Sequence, residues 1–197
     1  MGTVLSSFST SLDGFIAAPD GSVGPLFDWY TNGDVEVRPP GYPITFHMTR
    51  ASADYWNRTA TSEGAFVTGR ALFDFAHGWG GRPPNDAPTF VVTHRPPPAD
   101  WPPIPDAPFT FVGDLETAMR LAREVAGDDG DIGVAGPNLA QQCLNAGWLD
   151  EVRIDLVPVL LGDGIRYFDN LDSQVVLEDP EVVQGSRVTH LRYRVRR

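Results

Sequence analysis

Lysine is absent from the sequence, in which all 15 basic residues are arginines. Lysine supplies the Schiff-base amine of pyridoxal-phosphate enzymes and the phosphate-binding side chain of the Walker A loop, so both classes are excluded. Acidic residues outnumber the arginines by 26 to 15, which gives a formal net charge of −11 and a pI near 4.6. Since nucleic-acid binding needs a basic surface that displaces counterions, no nucleic acid is expected as a partner.

Cysteine and long apolar runs are also scarce. The single cysteine, Cys143, cannot form a disulfide within the chain or a thiolate cluster, and the four histidines show no H-E-x-x-H spacing, so no metal site is expected. No apolar run approaches the roughly 18 residues of a membrane span, and the N-terminus has no basic segment followed by an apolar one. The chain is therefore expected to be cytoplasmic, without contact to a membrane.

The pattern of apolar segments predicts a single α/β domain over residues 1–197, in which 42% of the residues are hydrophobic and can build a sizeable core. Predicted strands are 3–9, 65–68, 90–93, 109–112, 132–135 and 149–161, and predicted helices are 49–59, 70–76, 114–126 and 136–147. Residues 174–183 and 186–195 predict a hairpin. This order indicates a mixed, mostly parallel sheet with flanking helices and a C-terminal antiparallel hairpin.

Residues 18–45 differ in composition from the rest of the chain, being rich in glycine, proline and aromatic residues without periodicity. This predicts a long loop. Such loops in compact domains are usually functional or mobile, so the segment is expected to cover a site. The sequence leaves open whether it acts as a lid.

Ligands of open α/β sheets bind beyond the carboxyl ends of the strands, so the residues that follow each strand are the functional candidates. They are Asp13, Gly69 with Arg70, Thr93 with His94 and Arg95, and Gly136 with Pro137 and Asn138. Glycine allows a ligand to approach the backbone, and a helix N-terminus favours a phosphate. The guanidinium groups of Arg70 and Arg95 suggest a phosphomonoester site, and Gly136 offers a seat for a pyrophosphate. Together these features outline a phosphorylated dinucleotide such as NADPH.

Each of these features also has a simpler structural interpretation. Either glycine alone is more often required by turn geometry than by a ligand. Arg70 alone is more often a surface ion-pair partner, and Arg95 alone would solvate the proline-rich connector that follows it. Asp13 precedes a glycine, as turn residues do, and Cys143 is expected to pack in the core. Four aromatic residues suit either a core or the walls of a pocket: Trp29, Tyr30, Trp56 and Trp79.

Five stretches of the chain resemble one known family. They are S-T-S-L-D-G-F-I-A at 9–17, V-T-G-R-A-L-F at 67–73, F-V-V-T-H-R at 90–95, G-V-A-G-P-N-L-A-Q-Q-C-L at 133–144 and G-W-L-D-E-V-R-I-D-L-V-P-V-L-L-G-D-G-I-R-Y-F at 147–168. The sequence is similar to proteins of the dihydrofolate-reductase-like fold, specifically to stand-alone relatives of the reductase domain of the riboflavin-biosynthesis deaminase-reductase. The resemblance covers nearly the whole chain and implies a mixed eight-stranded sheet, NADPH as hydride donor and a homodimer.

The resemblance also implies roles for individual residues along the cofactor. Gly69, Arg70 and Leu72 would face the adenosine side, with Arg70 on the 2′-phosphate. Thr93, His94 and Arg95 would close the other side of that phosphate. The pyrophosphate would be held by Ala135, Gly136, Pro137, Asn138 and Leu139. Ser11, Ile16 and Ala17 would lie along the nicotinamide, with Asp13 near the reacting centre.

For the substrate, the resemblance gives weaker implications. True dihydrofolate reductases bind the pterin with a carboxylate on the first helix, and Asp54, near Trp56, lies close to that region. Riboflavin-pathway members need basic residues for a substrate phosphate, for which Arg50, Arg58 and Arg166 are loose candidates. The expected function is an NADPH-dependent reductase acting on a C=N or C=O group of a small pterin- or pyrimidine-like substrate, with a proton from water or Asp13. The alternative is a binding module of the same fold that holds NADP(H) without turnover.

Overall fold

The chain folds around a sheet of eight strands in the computed structural model, which describes residues 2–41, 43–60 and 63–197. The strands of the described residues are, in chain order, β1 (Val4–Ser11), β2 (Phe15–Ala17), β3 (Val35–Val37), β4 (Phe46–Met48), β5 (Glu63–Gly69), β6 (Thr89–Val92), β7 (Phe109–Val112), β8 (Asp131–Ala135), β9 (Glu151–Val157), β10 (Ile165–Arg166), β11 (Glu181–Gln184) and β12 (Thr189–Arg194). The α-helices are α1 (Arg50–Thr59), α2 (Arg70–Phe75), α3 (Leu115–Ala126) and α4 (Pro137–Asn145). Two 3₁₀ segments occupy Gly24–Thr31 and His77–Gly81.

The main sheet has the order β11-β12-β9-β1-β8-β5-β6-β7. The six strands from β9 to β7 pair in parallel, whereas β12 is antiparallel to β9 and to β11. The predicted fold class, a mixed and mostly parallel sheet that ends in an antiparallel hairpin, is confirmed. Because the six parallel strands run in one direction, their carboxyl ends all lie at one edge of the sheet.

One face of the sheet is covered by α3 and α4, which enclose the larger hydrophobic core. Asp114 caps α3 by accepting the Thr117 backbone N–H at 2.7 Å, and apolar residues at helical spacing then face the sheet. Cys143 of α4 is fully buried here, and burial raises the pKa of its thiol to about 12. The expectation that Cys143 packs in the core is confirmed.

The opposite face carries two separate groups of elements. Over β9 and β12 lie α1 and the 3₁₀ segment Gly24–Thr31, which form a second core. Over β6 and β7 lies α2, whose Phe73 packs edge-on against Trp101, Phe109 and Phe111. The central strands of the sheet run between these two groups.

Two predicted elements are shorter than expected, and proline explains where they begin or end. The strand predicted at 149–161 ends at Val157, because Pro158 has no N–H for the ladder. The first arm of the hairpin, predicted from residue 174, begins at Glu181 directly after Pro180. The antiparallel pairing of the two arms is as predicted.

The segment 18–45, predicted as a loop, is largely built into the fold. Its 3₁₀ segment buries Leu26 and Trp29, and its strand β3 pairs with β4. The absence of α-helical or strand periodicity was misleading because short 3₁₀ and two-stranded elements do not produce it. Residue 42 of this segment lies outside the described residues.

Candidate active site

The four predicted strand-end features lie side by side at one edge of the sheet. Asp13 follows β1, Gly136 follows β8, Gly69 ends β5 and Thr93 follows β6, and these four strands are consecutive neighbours. Parallel neighbours are spaced by about 4.8 Å, so three intervals span roughly 14 Å. Residues separated by more than a hundred positions in sequence thus form one continuous ledge, as an elongated ligand would require.

Gly136 and Gly69 bring two backbones together on this ledge. A Cβ placed on Gly136 would lie 3.6 Å from the Gly69 amide nitrogen. Gly136 has φ +113° and precedes Pro137 at the start of α4, with no side chain to cap the helix. The first amide groups of a helix have no acceptor within it, so those of Asn138 and Leu139 are suited to an anion.

The side chains around this turn are used by the fold. Leu139 is buried, Ala135 is half-buried, and the Asn138 amide oxygen accepts from Gln142 at 2.6 Å. What the segment offers to a ligand is therefore its backbone.

Arg70 and Arg95 converge, as the phosphomonoester hypothesis requires, but both contact a third residue. Asp74 accepts from Arg70 Nε at 2.6 Å through Oδ1 and from Arg95 Nη2 at 3.1 Å through Oδ2. Arg70 also donates from Nη1 to the Pro96 carbonyl at 2.7 Å, and its side chain is only 14% exposed. The ion-pair interpretation of Arg70 is thus realised here, and its role toward a phosphate stays a prediction.

The residues next to Arg95 form a tight turn. The Thr93 hydroxyl accepts the Arg95 backbone N–H at 3.0 Å, and His94 is exposed. Leu72 is half-buried on α2. Since α2 has only six residues, the prediction of an anion site at this position depends on the arginine side chains and not on the helix terminus.

Asp13 forms hydrogen bonds to a loop that is distant in sequence. Its carboxylate accepts from the Ser11 hydroxyl at 2.6 Å, from the Leu161 N–H at 3.2 Å and from the Gly162 N–H at 2.7 Å. These hydrogen bonds, that of Ser11 above all, lower the pKa of Asp13 to about 2. At neutral pH the group is an ionised acceptor, so its surroundings argue against the predicted role as a proton donor.

The three residues expected along the nicotinamide are mostly enclosed by protein. The Ser11 hydroxyl donates to Asp13 and accepts the Phe15 N–H at 2.9 Å. Ile16 and Ala17 are buried in β2, which pairs with β10. Their side chains therefore shape the end of β1, and only their neighbourhood, not a contact to a ligand, follows from the structure.

Between the α1 group and the α2 group the face of the sheet is open at Ser7 of β1, and this open strip is termed the groove. Ser7 is exposed although it lies in the middle of β1, which has neighbours on both sides. It faces the same side as Ser9, whose hydroxyl accepts from Trp29 Nε1 at 3.0 Å. Solvent reaches Ser7 through the gap between the α1 group and the α2 group.

Two parts of the segment 18–45 reach across to the α2 side of the groove. A Cβ on Gly21 would lie 3.5 Å from the Phe75 ring of α2, and the Gly41 N–H donates to the Pro84 carbonyl at 3.1 Å. The segment therefore borders the groove at two points, and its role in covering a site stays a prediction.

Glu63 is a half-buried acid that the sequence did not single out. It lies at the start of β5, where a register shift places its carboxylate against Gly133 of β8, so that any side chain at Gly133 would collide with it. Its Oε2 accepts from Asn85 at 2.6 Å. Burial raises the pKa of Glu63 to about 7. Glu63 pairs with Asp131 at the start of β8, and Gly133 pairs with Leu5 near the start of β1, so this carboxyl lies toward the edge of the sheet opposite to the ledge.

A buried polar network forms the floor beneath α1. Asp155 on β9 contacts His190 Nδ1 at 2.7 Å, and His190 Nε2 contacts the Ser52 hydroxyl at 2.9 Å. Glu151 accepts a hydrogen bond from Arg153 Nε at 2.6 Å, and it forms an ion pair with Arg192 Nε at 2.7 Å. The members of this network lie far apart in sequence. The charged residues at 151, 153 and 155 alternate along one strand, however, and this alternation indicates that these three side chains share a face.

The weak substrate candidates are not brought together. Asp54 is exposed on the side of α1 opposite to its buried residues, and its role on a pterin stays a prediction. Trp56 packs edge-on against Tyr30 and Phe46, and Trp29 and Tyr30 belong to the second core. Trp79 stacks with Phe109 on the other side of the groove.

The three arginines suggested for a substrate phosphate are also scattered. Arg58 pairs with Glu181 at 3.2 Å, Arg166 lies over the Phe15 ring, and Arg50 begins α1. They form no common site.

Outside this region, a cavity of about 390 Å³ lies at the opposite edge of the sheet, between the start of β1 and the end of α3. It is distant from the strand ends where ligands of parallel sheets bind. Within the described ranges, no group of three or more histidine, cysteine, aspartate or glutamate side chains could hold a metal ion. None of the described helices is long and apolar enough to cross a membrane.

Comparison with known proteins identifies the family. The sequence model of the RibD C-terminal domain matches residues 2–191, so the chain belongs to the RibD C-terminal domain family. No curated protein matches the chain.

Solved structures show the same fold. A protein of Shewanella sp. PV-4, whose given name ties it to riboflavin biosynthesis, superimposes with a TM-score of 0.71 at 19% identity, covering 99% of both chains. RibD of Acinetobacter baumannii gives a TM-score of 0.66 at 15% identity over 100% of this chain and 59% of that one. Dihydrofolate reductase from Enterococcus faecalis, complexed with NADP(H) and RAB-propyl, gives 0.57 at 16% identity over 99% and 97%. The family and its neighbours support an oxidoreductase of the pyrimidine or pterin reductase type.

Proposed function

We propose that the chain is an NADPH-dependent reductase that transfers a hydride to a C=N or C=O group of a small pterin- or pyrimidine-like substrate. The observation that carries the proposal is the alignment of four strand-end features on one ledge beside an open groove. The ledge is long enough for a dinucleotide, and the groove provides a separate place for a second molecule.

The residues of the ledge fit the cofactor. The Gly136 turn and the first amides of α4 would hold the pyrophosphate, because no side chain of Gly136 fills the space beside Gly69. Arg70 and Arg95 would hold the 2′-phosphate, since guanidinium groups bind phosphates through several N–H donors. When bound, NADPH supplies the hydride. The chain itself positions both reactants and excludes water from them.

Protonation of the reduced group needs an acid that is protonated near neutral pH. Asp13, with a pKa of about 2, does not meet this requirement, whereas Glu63, with a pKa of about 7, does. Glu63, however, begins β5 and pairs with Asp131, at the edge of the sheet opposite to the ledge, so it does not reach the end of the ledge proposed for the nicotinamide. We therefore assign the proton to bound water.

A homodimer is part of the proposal. Val176 and Val182, in and beside the terminal hairpin, are 44% and 56% exposed. Exposed apolar side chains next to an edge strand favour association between copies.

Binding and turnover are tested separately. NADPH and NADH are titrated calorimetrically into the parent, Arg70→Ala and Arg82→Ala, the last being a matched control because Arg82 also forms an (i,i+4) ion pair, with Asp86. Loss of a charge-assisted hydrogen bond predicts an NADPH affinity about tenfold lower for Arg70→Ala and unchanged for Arg82→Ala. NADPH oxidation is then followed with pterins, pyrimidine ribosides and simple carbonyls. Binding without oxidation of NADPH by any substrate would favour the binding module, and absence of binding would contradict both functions.

A further inference from the structure

Asp74 lies between the two arginines that were expected to bind a phosphate. Each of its carboxylate oxygens has its own guanidinium partner, Arg70 at 2.6 Å and Arg95 at 3.1 Å. Both oxygens are therefore used, in the way that two oxygens of a phosphate would be. The carboxylate is an anion of this chain placed at the point where the guanidinium groups converge.

The charges of this cluster limit what it offers to a ligand. Two arginines and one aspartate sum to +1, the charge of a single arginine. A phosphomonoester that contacts both guanidinium groups has to share them with Asp74 and is repelled by it at short range. A dinucleotide that carries only hydroxyl groups on the adenosine ribose meets no such repulsion.

The two arginines differ in their freedom to change partners. Arg70 is 14% exposed and is also bound to the Pro96 carbonyl, so its position is fixed. Arg95 is 63% exposed and contacts Asp74 through one nitrogen. A phosphate would thus exchange with Asp74 first at Arg95.

We propose that Asp74 is a specificity-determining residue of the cofactor site, whose carboxylate competes with the 2′-phosphate for Arg70 and Arg95 and narrows the preference for NADPH over NADH. This inference rests on the proposed function. A purely structural ion pair within α2 would have no effect on the ratio of the two affinities, which distinguishes the two roles.

The test compares Asp74→Asn with Glu124→Gln. Glu124 pairs with Arg120 at (i,i+4) on α3, so its substitution removes one negative charge from a similar pair away from the ledge. The dissociation constants of NADPH and NADH are measured by calorimetry at one ionic strength, with circular dichroism to show that each variant is folded.

Removal of a neighbouring like charge predicts that Asp74→Asn binds NADPH about fivefold more tightly or better, with NADH changed by less than about twofold. Glu124→Gln is expected to leave both affinities unchanged. If the parent binds both dinucleotides and the ratio of NADPH affinity to NADH affinity is unchanged or lower in Asp74→Asn, the role of Asp74 is overturned. The proposed function is not affected by that result. A parent that binds neither dinucleotide would overturn the proposed function and this inference with it.

Discussion

The carboxylate of Asp13 accepts the backbone N–H of Gly162 at 2.7 Å, joining the end of β1 to a loop 149 residues further along the chain. The same group also accepts from Leu161 and from Ser11. Asp13 therefore sets the position of the 160–164 loop relative to the ledge. Such a position makes it a structural anchor beside the site.

Asp13→Asn is expected to loosen this loop, because the amide nitrogen that replaces one carboxylate oxygen cannot accept from a backbone N–H. Amide exchange of Leu161 and Gly162 should become faster, while that of the core strands is unchanged. Asp20→Asn is the matched control, since Asp20 accepts only locally, from Ser22. Equal exchange at Gly162 in parent and variant would contradict the anchoring role.

The contribution of the Asp13 carboxylate to the stability of the fold depends on pH, and its lowered pKa sets the direction of this dependence. Its pKa is lowered in the folded state, from an ordinary value of 3.8 to about 2. The ionised group thus stabilises the fold above pH 4, and this stabilisation is lost as the pH falls from 4 to 2. The difference between the unfolding midpoints of the parent and of Asp13→Asn should shrink over that interval. A difference that stays constant would contradict the lowered pKa of Asp13.

For Glu63 the dependence of stability on pH is predicted to run in the opposite direction to that for Asp13. Burial raises the pKa of Glu63 from 4.5 to about 7, so the folded state holds a proton that the unfolded state releases, and stability falls as the pH rises from 4.5 to 7. Glu63→Gln, which keeps an acceptor for Asn85, should be more stable than the parent at pH 8 by about 2–3 kcal/mol and nearly equal to it at pH 4. Urea unfolding at both pH values measures this.

A control for Glu63 is Glu124→Gln, which removes an exposed carboxylate. It should show no such dependence on pH. If Glu63→Gln were equally destabilising at both pH values, the carboxyl would be a fixed acceptor for Asn85 and not a group that titrates near neutral pH.

The oligomeric state is predicted to be a homodimer. Light scattering at micromolar concentration should give twice the mass of one chain. Val182→Arg, which places a charge on the exposed side of the edge strand β11, should favour the single chain. A parent that has the mass of one chain would contradict the prediction.

Much of the ledge could be predicted from sequence because it depends on local signals. Apolar runs that end in Gly69 or before Gly136 define strand ends, and parallel strands bring such ends to one edge. The pairing of Arg70 with Asp74 is likewise a local (i,i+4) relationship, although the sequence analysis did not name Asp74 as the partner. The exposure of Asp54 could not be predicted, because it depends on which residues of α1 face the sheet.

The other features of this region depend on tertiary contacts, which leave no local signal in the sequence. Glu63 became half-buried against β8 through a register shift in β5 and the absence of a side chain at Gly133. The contact of His190 with Ser52 joins residues 138 positions apart. The exposure of Ser7 depends on which helices leave a gap above β1, and a serine in a strand gives no indication of that.

The claim that the Gly136 turn holds the cofactor is tested most directly by calorimetric titration of NADPH into Gly136→Ala and Gly127→Ala. Both glycines have positive φ, +113° and +68°, so either alanine should cost about 1–2 kcal/mol of stability. Only Gly136 lies on the ledge, whereas Gly127 caps α3 with open space around it. We expect Gly136→Ala to bind NADPH at least tenfold more weakly than the parent, at about 1.4 kcal/mol per tenfold, and Gly127→Ala to bind it like the parent. Equal NADPH affinity in the parent and both folded variants would contradict the claim.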